Sequence, residues 1–179
     1  MPNWNSNAIT IKGPVDKIRA LWDAANSKED SGLLEAMVPQ GEWDYDRAVQ
    51  EWGTKWDISL EGLEFTDLGD GTATIEGWAD SAWSPPIEAF ATYCGNNDDV
   101  TAQLDYFEPG MAFIGRWTNT DGEQTYEDVG ALLETTADED PMLYELMEYF
   151  DVWGWYETDE EDEENLEIDL DGGLSAINE

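Results

Sequence analysis

Histidine is absent from the 179-residue chain. That removes the commonest general base and metal ligand at neutral pH. Cysteine occurs once, at Cys94, so no intrachain disulfide can form, and a reducing, cytoplasmic setting is expected. Basic residues are scarce: seven Lys and Arg stand against 43 Asp and Glu, a net charge of −36. Such a surface repels nucleic acid and anionic membranes and attracts basic proteins. No stretch reaches the roughly 20 apolar residues of a membrane span. The opening "MPNWNSNAITIKG" has neither the basic nor the apolar segment of a secretory leader. No Gly-rich phosphate loop is present.

What the chain does have is aromatic area: ten Trp, seven Tyr and five Phe. Burying them can offset the entropy of ordering the chain, which argues against global disorder despite the charge. The charge is also uneven. Residues 1–120 hold 21 acids and all seven bases, whereas residues 121–179 hold 22 acids and no base. The boundary suggests a domain over 1–120 and an acidic C-terminal extension over 121–179 packed on it.

Ile9 and Ile11 alternate with polar neighbours, as in a strand. Pro14 then suits a helix start, with Val15, Ile18, Leu21 and Ala25 on one face. Residues 29–55 read as an irregular insertion with a short helix around Tyr45–Trp52. Leu60–Thr66 and Thr72–Ala79 read as strands joined by "GDG". Ser84 is placed to cap a second helix beginning at Pro85. Residues 100–107 and 112–117 make two more strands around "EPGM", where Pro109 and Gly110 suit the centre of a type II turn. The order β-α-(insertion)-β-β-α-β-β predicts an α+β, ferredoxin-like antiparallel sheet with two helices on one face. Beyond it, a helix over Tyr126–Glu134 is expected. Another, capped by Asp140, should carry the stripe Leu143, Leu146, Met147, Phe150 and Trp153 until "GW" at 154–155 breaks it. Leu166, Ile168 and Leu170 then alternate with acids as a strand.

Four phrases carry a family resemblance: "MPNW-SN" at 1–7, "WGTKWD" at 52–57, "AWSPP" at 82–86 and "YFEPGMAFIG" at 106–115. In this order they resemble the YubB-type ferredoxin-like proteins of plasmids and phages, over about residues 1–117. The resemblance implies the same fold and a mobile-element origin, hence the cytoplasm of a host cell. It implies no activity. The family commonly has Cys where this chain has Asn5, so any role of that thiol cannot apply.

Catalytic and metal motifs are weak. Ser, Thr and Cys94 have no His partner. With 43 acids, carboxylate pairs of the kind glycosidases use are everywhere and carry no signal. Glu167, Asp169, Asp171 and Gly172 resemble the first half of a calcium loop, but the twelfth position is Asn178 where a bidentate Glu is needed. "AWSPP" and "YFEPGM" suggest a pocket lined by Trp83 and Phe107, although each Pro and Gly there has a local backbone role. No enzyme activity, cofactor or metal is expected.

The acidic surface remains. Duplex DNA carries one charge per about 1.7 Å, so roughly 40 Å of it carries about 24 charges. A compact chain of this length is also roughly 40 Å across. Half of its net charge on one face, about 18, approaches that density. The expected function is therefore imitation of DNA: binding and inhibiting a basic DNA-binding protein of the host, of restriction, CRISPR or nucleoid class. Direct nucleic-acid and membrane binding are not expected, and a homodimer would lengthen the charged surface. The expected phosphate-mimicking residues are Asp138, Glu139 and Asp140, then Glu157, Asp159, Glu160, Glu161, Asp162, Glu163 and Glu164, then Glu167, Asp169 and Asp171. The alternative is an accessory or structural interaction protein whose acidity serves solubility or high-salt adaptation.

Overall fold

The computed structural model describes residues 3–27, 32–133 and 140–156. Six strands form one antiparallel sheet in the order β2-β3-β1-β4-β5-β6. These are β1 (Trp4–Pro14), β2 (Leu63–Asp67), β3 (Thr72–Ala82), β4 (Thr101–Glu108), β5 (Phe113–Thr118) and β6 (Gly122–Tyr126). The first four strands and their two crossover helices have ferredoxin-like topology. The helices are α1 (Val15–Ala25) and α4 (Ile87–Gly95).

Alternation decides which face is dry. On β1, Asn5, Asn7, Ile9 and Ile11 are buried, while Trp4, Thr10 and Lys12 are exposed. Ile11 lies opposite Ile75 of β3 and Ala102 of β4, which extends the buried row across the sheet. Onto this row α1 brings Ile18, Leu21 and Ala25, and α4 brings Ala89, Phe90 and Cys94. Burial pushes the Cys94 thiol up to about 11, so it stays protonated at neutral pH. Asn5, Asn7 and Ser81 are fully buried at one end of the row. Asn7 Nδ2 donates to Ser81 Oγ (2.9 Å) and to the Ala79 carbonyl (2.9 Å).

Within the insertion the expected short helix forms as α3 (Tyr45–Trp52), and a second, α2 (Leu33–Met37), stands where irregular chain was expected. α2 has no capping side chain of its own. The Asp57 carboxylate, more than twenty residues away, accepts from the amides of Gly32 (3.1 Å), Leu34 (2.7 Å) and Glu35 (2.9 Å). Asp44 caps α3 by accepting from the Arg47 amide at 2.9 Å. Gly53, with φ +82°, ends it in the left-handed conformation. Leu33, Leu34, Ala48 and Trp52 join the same core.

Three local expectations are corrected. Ser84 does not cap the second helix: α4 starts at Ile87 behind Pro86, and Ser84 Oγ donates to the Gly53 carbonyl (2.5 Å). The β4–β5 turn lies one residue later than "EPGM", because the buried Glu108 carboxylate accepts the amides of Gly110 (3.1 Å) and Met111 (2.5 Å). Ala112 (φ 55°) then takes the left-handed position that Gly110 was expected to hold. The helix expected over Tyr126–Glu134 is only α5 (Val129–Leu132). The residues before it extend the sheet as β6, behind an Asp121–Gly122 turn with Gly122 at φ +82°.

The chain divides into units 1–128 and 129–179. In the second, α6 (Pro141–Tyr149) begins as expected: Asp140 accepts from the amides of Met142 (3.1 Å) and Leu143 (3.2 Å). Leu143, Leu146 and Met147 are buried. The break falls at Phe150 and Asp151 (φ 49°) rather than at "GW", which lies within a further helical stretch, 152–156. The expected Leu166–Leu170 strand lies outside the described residues.

On the sheet face away from α1 and α4, Asp105 and Arg116 are cross-strand partners. Their two charge-assisted bonds measure 2.6 and 2.8 Å, and Asp105 is 7% exposed. Arg116→Ala leaves that carboxylate buried without a cation and is expected to cost about 2–4 kcal/mol. The double variant Asp105→Leu/Arg116→Met removes both charges and should cost much less. Urea unfolding of the two variants checks the difference.

Candidate carboxylate and tryptophan face

The open face over β2, β3 and β1 follows from register. Glu64 of β2 lies directly opposite Glu76 of β3, and Thr10 of β1 lies opposite Glu76 on the other side. Period-two alternation puts Trp78 and Asp80 on the same face as Glu76. Asp80 is opposite Ser6, whose hydroxyl donates to Asp80 Oδ1 at 3.0 Å. Glu64, Glu76 and Asp80 are all exposed. No Lys or Arg among the described residues forms an ion pair with any of them. Like charges directly opposite in a sheet repel, so Glu64 and Glu76 lower stability where they stand.

Beside these acids is a groove of about 420 Å³, walled by Trp4, Trp56 and Trp78 and rimmed by Asp57, Glu61 and Asp80. Trp4 and Trp78 are 48% and 43% exposed. The Trp4 and Trp56 rings meet at 5.9 Å, tilted by 55°. Two glycines allow the close backbone approach that places Trp78. A Cβ on Gly62 would meet the Trp78 carbonyl oxygen at 2.2 Å, and one on Gly77 would meet the Gly62 oxygen at 2.1 Å. Burial pushes the Asp57 carboxyl up, against the backbone amides that hold it down. Asp57 is engaged at the start of α2, which leaves Glu61 and Asp80 as the groove's outward charges.

Of the acids singled out in the sequence, only Asp140 is among the described residues. Asp138, Glu139, Glu157, Asp159, Glu160, Glu161, Asp162, Glu163, Glu164, Glu167, Asp169 and Asp171 lie outside the described residues. Asp140 is described and serves as the cap of α6. Trp83 and Phe107 line no common cavity with this groove: Trp83 is 54% exposed at φ 77°, and Phe107 is buried. Among the described residues no group of three or more acids or cysteines is placed to hold a metal ion. No described helix is long and apolar enough to cross a membrane. The signal for the open face was available in "LEGLEFTD" and "TATIEGWAD". Counting both strands by twos puts Glu64, Glu76, Trp78 and Asp80 on one side.

Antiparallel topology with two crossover helices on one face defines a ferredoxin-like domain. The chain belongs to the family described as the ferredoxin-like domain in Api92-like protein, whose model matches residues 51–167. The match starts within α3, leaving out β1, α1 and α2, and takes in most of the base-free third, the run Glu157–Glu164 included. A solved structure, the protein api92 from Yersinia pseudotuberculosis, is similar at 16% identity and a TM-score of 0.38, over 52% of this chain and 38% of that one. The chain thus spans well under half the length of that protein. No curated protein matches.

Glu76→Lys places opposite charges across the β2–β3 pair and is expected to stabilise the fold by a few tenths to about 1 kcal/mol. The gain should shrink as salt is raised. Chemical denaturation at low and high salt reads both effects.

Proposed function

We propose that this protein works without catalysis, by binding and blocking a basic DNA-binding protein of a host cell in the manner of a DNA mimic. The observation that supports the reading best is the open sheet face. There Glu64 and Glu76 oppose one another and Asp80 lies four residues further along β3, without a cation paired to any of them among the described residues. A chain selected for stability alone has an easy remedy for such repulsion, one lysine. Keeping the acids makes sense if a partner's Lys and Arg supply the missing cations. The bases the protein does have are largely occupied internally: Lys17 with Asp99, Arg19 with Asp67, Arg47 with Glu51 and Arg116 with Asp105. The exposed surface therefore presents carboxylate, as a duplex presents phosphate.

The YubB-type likeness read from the motifs adds a context, since plasmids and phages meet host restriction, CRISPR and nucleoid proteins that all hold DNA in basic clefts. The acidic run Glu157–Glu164 extends the same chemistry in the sequence. Association would be fast through electrostatic steering and would weaken with salt. The competing reading is acidity for solubility or high-salt adaptation, which the scarcity of lysine favours.

The test is displacement of DNA. The protein should release duplex DNA from one or a few basic host proteins at moderate salt. The triple variant Glu64→Gln/Glu76→Gln/Asp80→Asn should do so roughly tenfold less well, while neutralising Glu157–Glu164 reports the contribution of the run separately. Capture of no such protein, together with unfolding of the protein itself at low salt, sinks the mimic and supports the salt-adaptation reading.

A further inference from the structure

We infer that the tryptophan groove is a receptor for an arginine side chain of the partner. This rests on the reading of the protein as a binder of a basic protein and adds to it a specific anchor. The groove's volume, about 420 Å³, is toward the small end for ligand sites and has room for an arginine side chain. Three indoles, Trp4, Trp56 and Trp78, line it, and indole is the aromatic ring that attracts cations best. The ring cluster already holds one cation: Lys55 Nζ lies 4.9 Å from the Trp56 ring centre and 6.0 Å from that of Tyr45.

The rim supplies the charge. Ser6 holds Asp80 through Oδ1, and among the described residues no donor lies on Oδ2. Glu61 forms no ion pair among the described residues. A planar guanidinium satisfies both demands at once, stacking on an indole while bonding a carboxylate through two N–H groups. An ammonium has no flat face to stack and is more strongly hydrated. The groove therefore separates arginine from lysine, which a purely electrostatic surface does not. A sugar would also stack on indole and donate its hydroxyls to carboxylates, but being neutral it gains nothing from their charge, and cellobiose is therefore the competing ligand in the test.

The experiment titrates the whole protein with acetylated hexa-arginine and hexa-lysine peptides at physiological salt, following tryptophan emission and heat. Hexa-arginine is expected to bind at least about tenfold tighter than hexa-lysine and to change the emission. Trp4→Ala and Asp80→Asn should each erase most of that preference while leaving hexa-lysine binding within about twofold. Trp4→Phe, which keeps a ring and guards against a folding defect, should retain it. Asp16→Asn, on the exposed side of α1, should leave the preference intact. Equal binding of the two peptides, or a preference that survives both Trp4→Ala and Asp80→Asn, overturns the inference. So does binding of neutral cellobiose with loss of hexa-arginine binding. None of these results touches DNA displacement by the acidic surface, so the two readings fail separately.

Discussion

Among the described residues a carboxylate meets a backbone N–H more often than it meets a cation, and much of the architecture follows from that shortage. With seven bases for 43 acids, ion pairing cannot satisfy the acids that folding brings near one another. The described residues hold four ion pairs. Seven carboxylates accept backbone amides, Asp67 in addition to its pair with Arg19: Glu35, Asp44, Asp57, Asp67, Asp70, Glu108 and Asp140. Amide donors at helix starts and turns are available regardless of composition, since the first turn of every helix leaves N–H groups without partners. An acid-rich sequence thus has a supply of caps and turn closures. Asp57 shows the arrangement at its most developed, starting a helix from outside that helix and fixing the insertion to the core.

The same shortage divides the sheet into surfaces with different chemistry. The face under α1 and α4 excludes charge and is filled by Ile, Leu, Ala and Phe. On the other face, the β4–β5 half contains the bidentate Asp105–Arg116 pair, with Gln103 Nε2 adding bonds of 3.1 and 3.0 Å to the two Asp105 oxygens. There the charge is satisfied internally. The β2–β3–β1 half exposes one base, Lys12 of β1, which forms no ion pair among the described residues, and its acids stand beside tryptophans. Indole and carboxylate together make little sense as a purely solvating surface, because exposed indole works against solubility. The combination suits binding, where aromatic area supplies affinity and charge supplies steering and choice of partner.

The sequence is most legible where the deciding interaction is local. Alternation along Ile9–Ile11 marks β1, and Asp140 followed by Pro141 marks the start of α6 within one turn. Asp121–Gly122 is an equally local turn signal, but an expectation that assigns nothing between it and a helix at Tyr126 misses β6. The cap of α2 was invisible for another reason: a carboxylate 22 to 25 residues from the amides it accepts leaves no trace in spacing. The open face needed one more step, the register that sets Glu64 against Glu76. Acid runs draw attention because they are contiguous in sequence. On strands, charges that act together are two residues apart or on different strands, so the denser surface signal is diluted by intervening apolar positions.

Rigidity distinguishes such a sheet surface from a run of acids in extended chain. Strand pairing on both sides of β3 fixes the backbone beneath Glu76, Trp78 and Asp80. A partner that docks there orders few main-chain dihedrals, and less of the interaction free energy is lost to entropy. The repulsion between Glu64 and Glu76 works in the same direction. It raises the free energy of the unbound surface, and a bound guanidinium or ammonium relieves it, so part of the cost of keeping two like charges adjacent is recovered on binding. A carboxylate pair held in this way favours a cation over a neutral ligand even before any contact with the indoles is made.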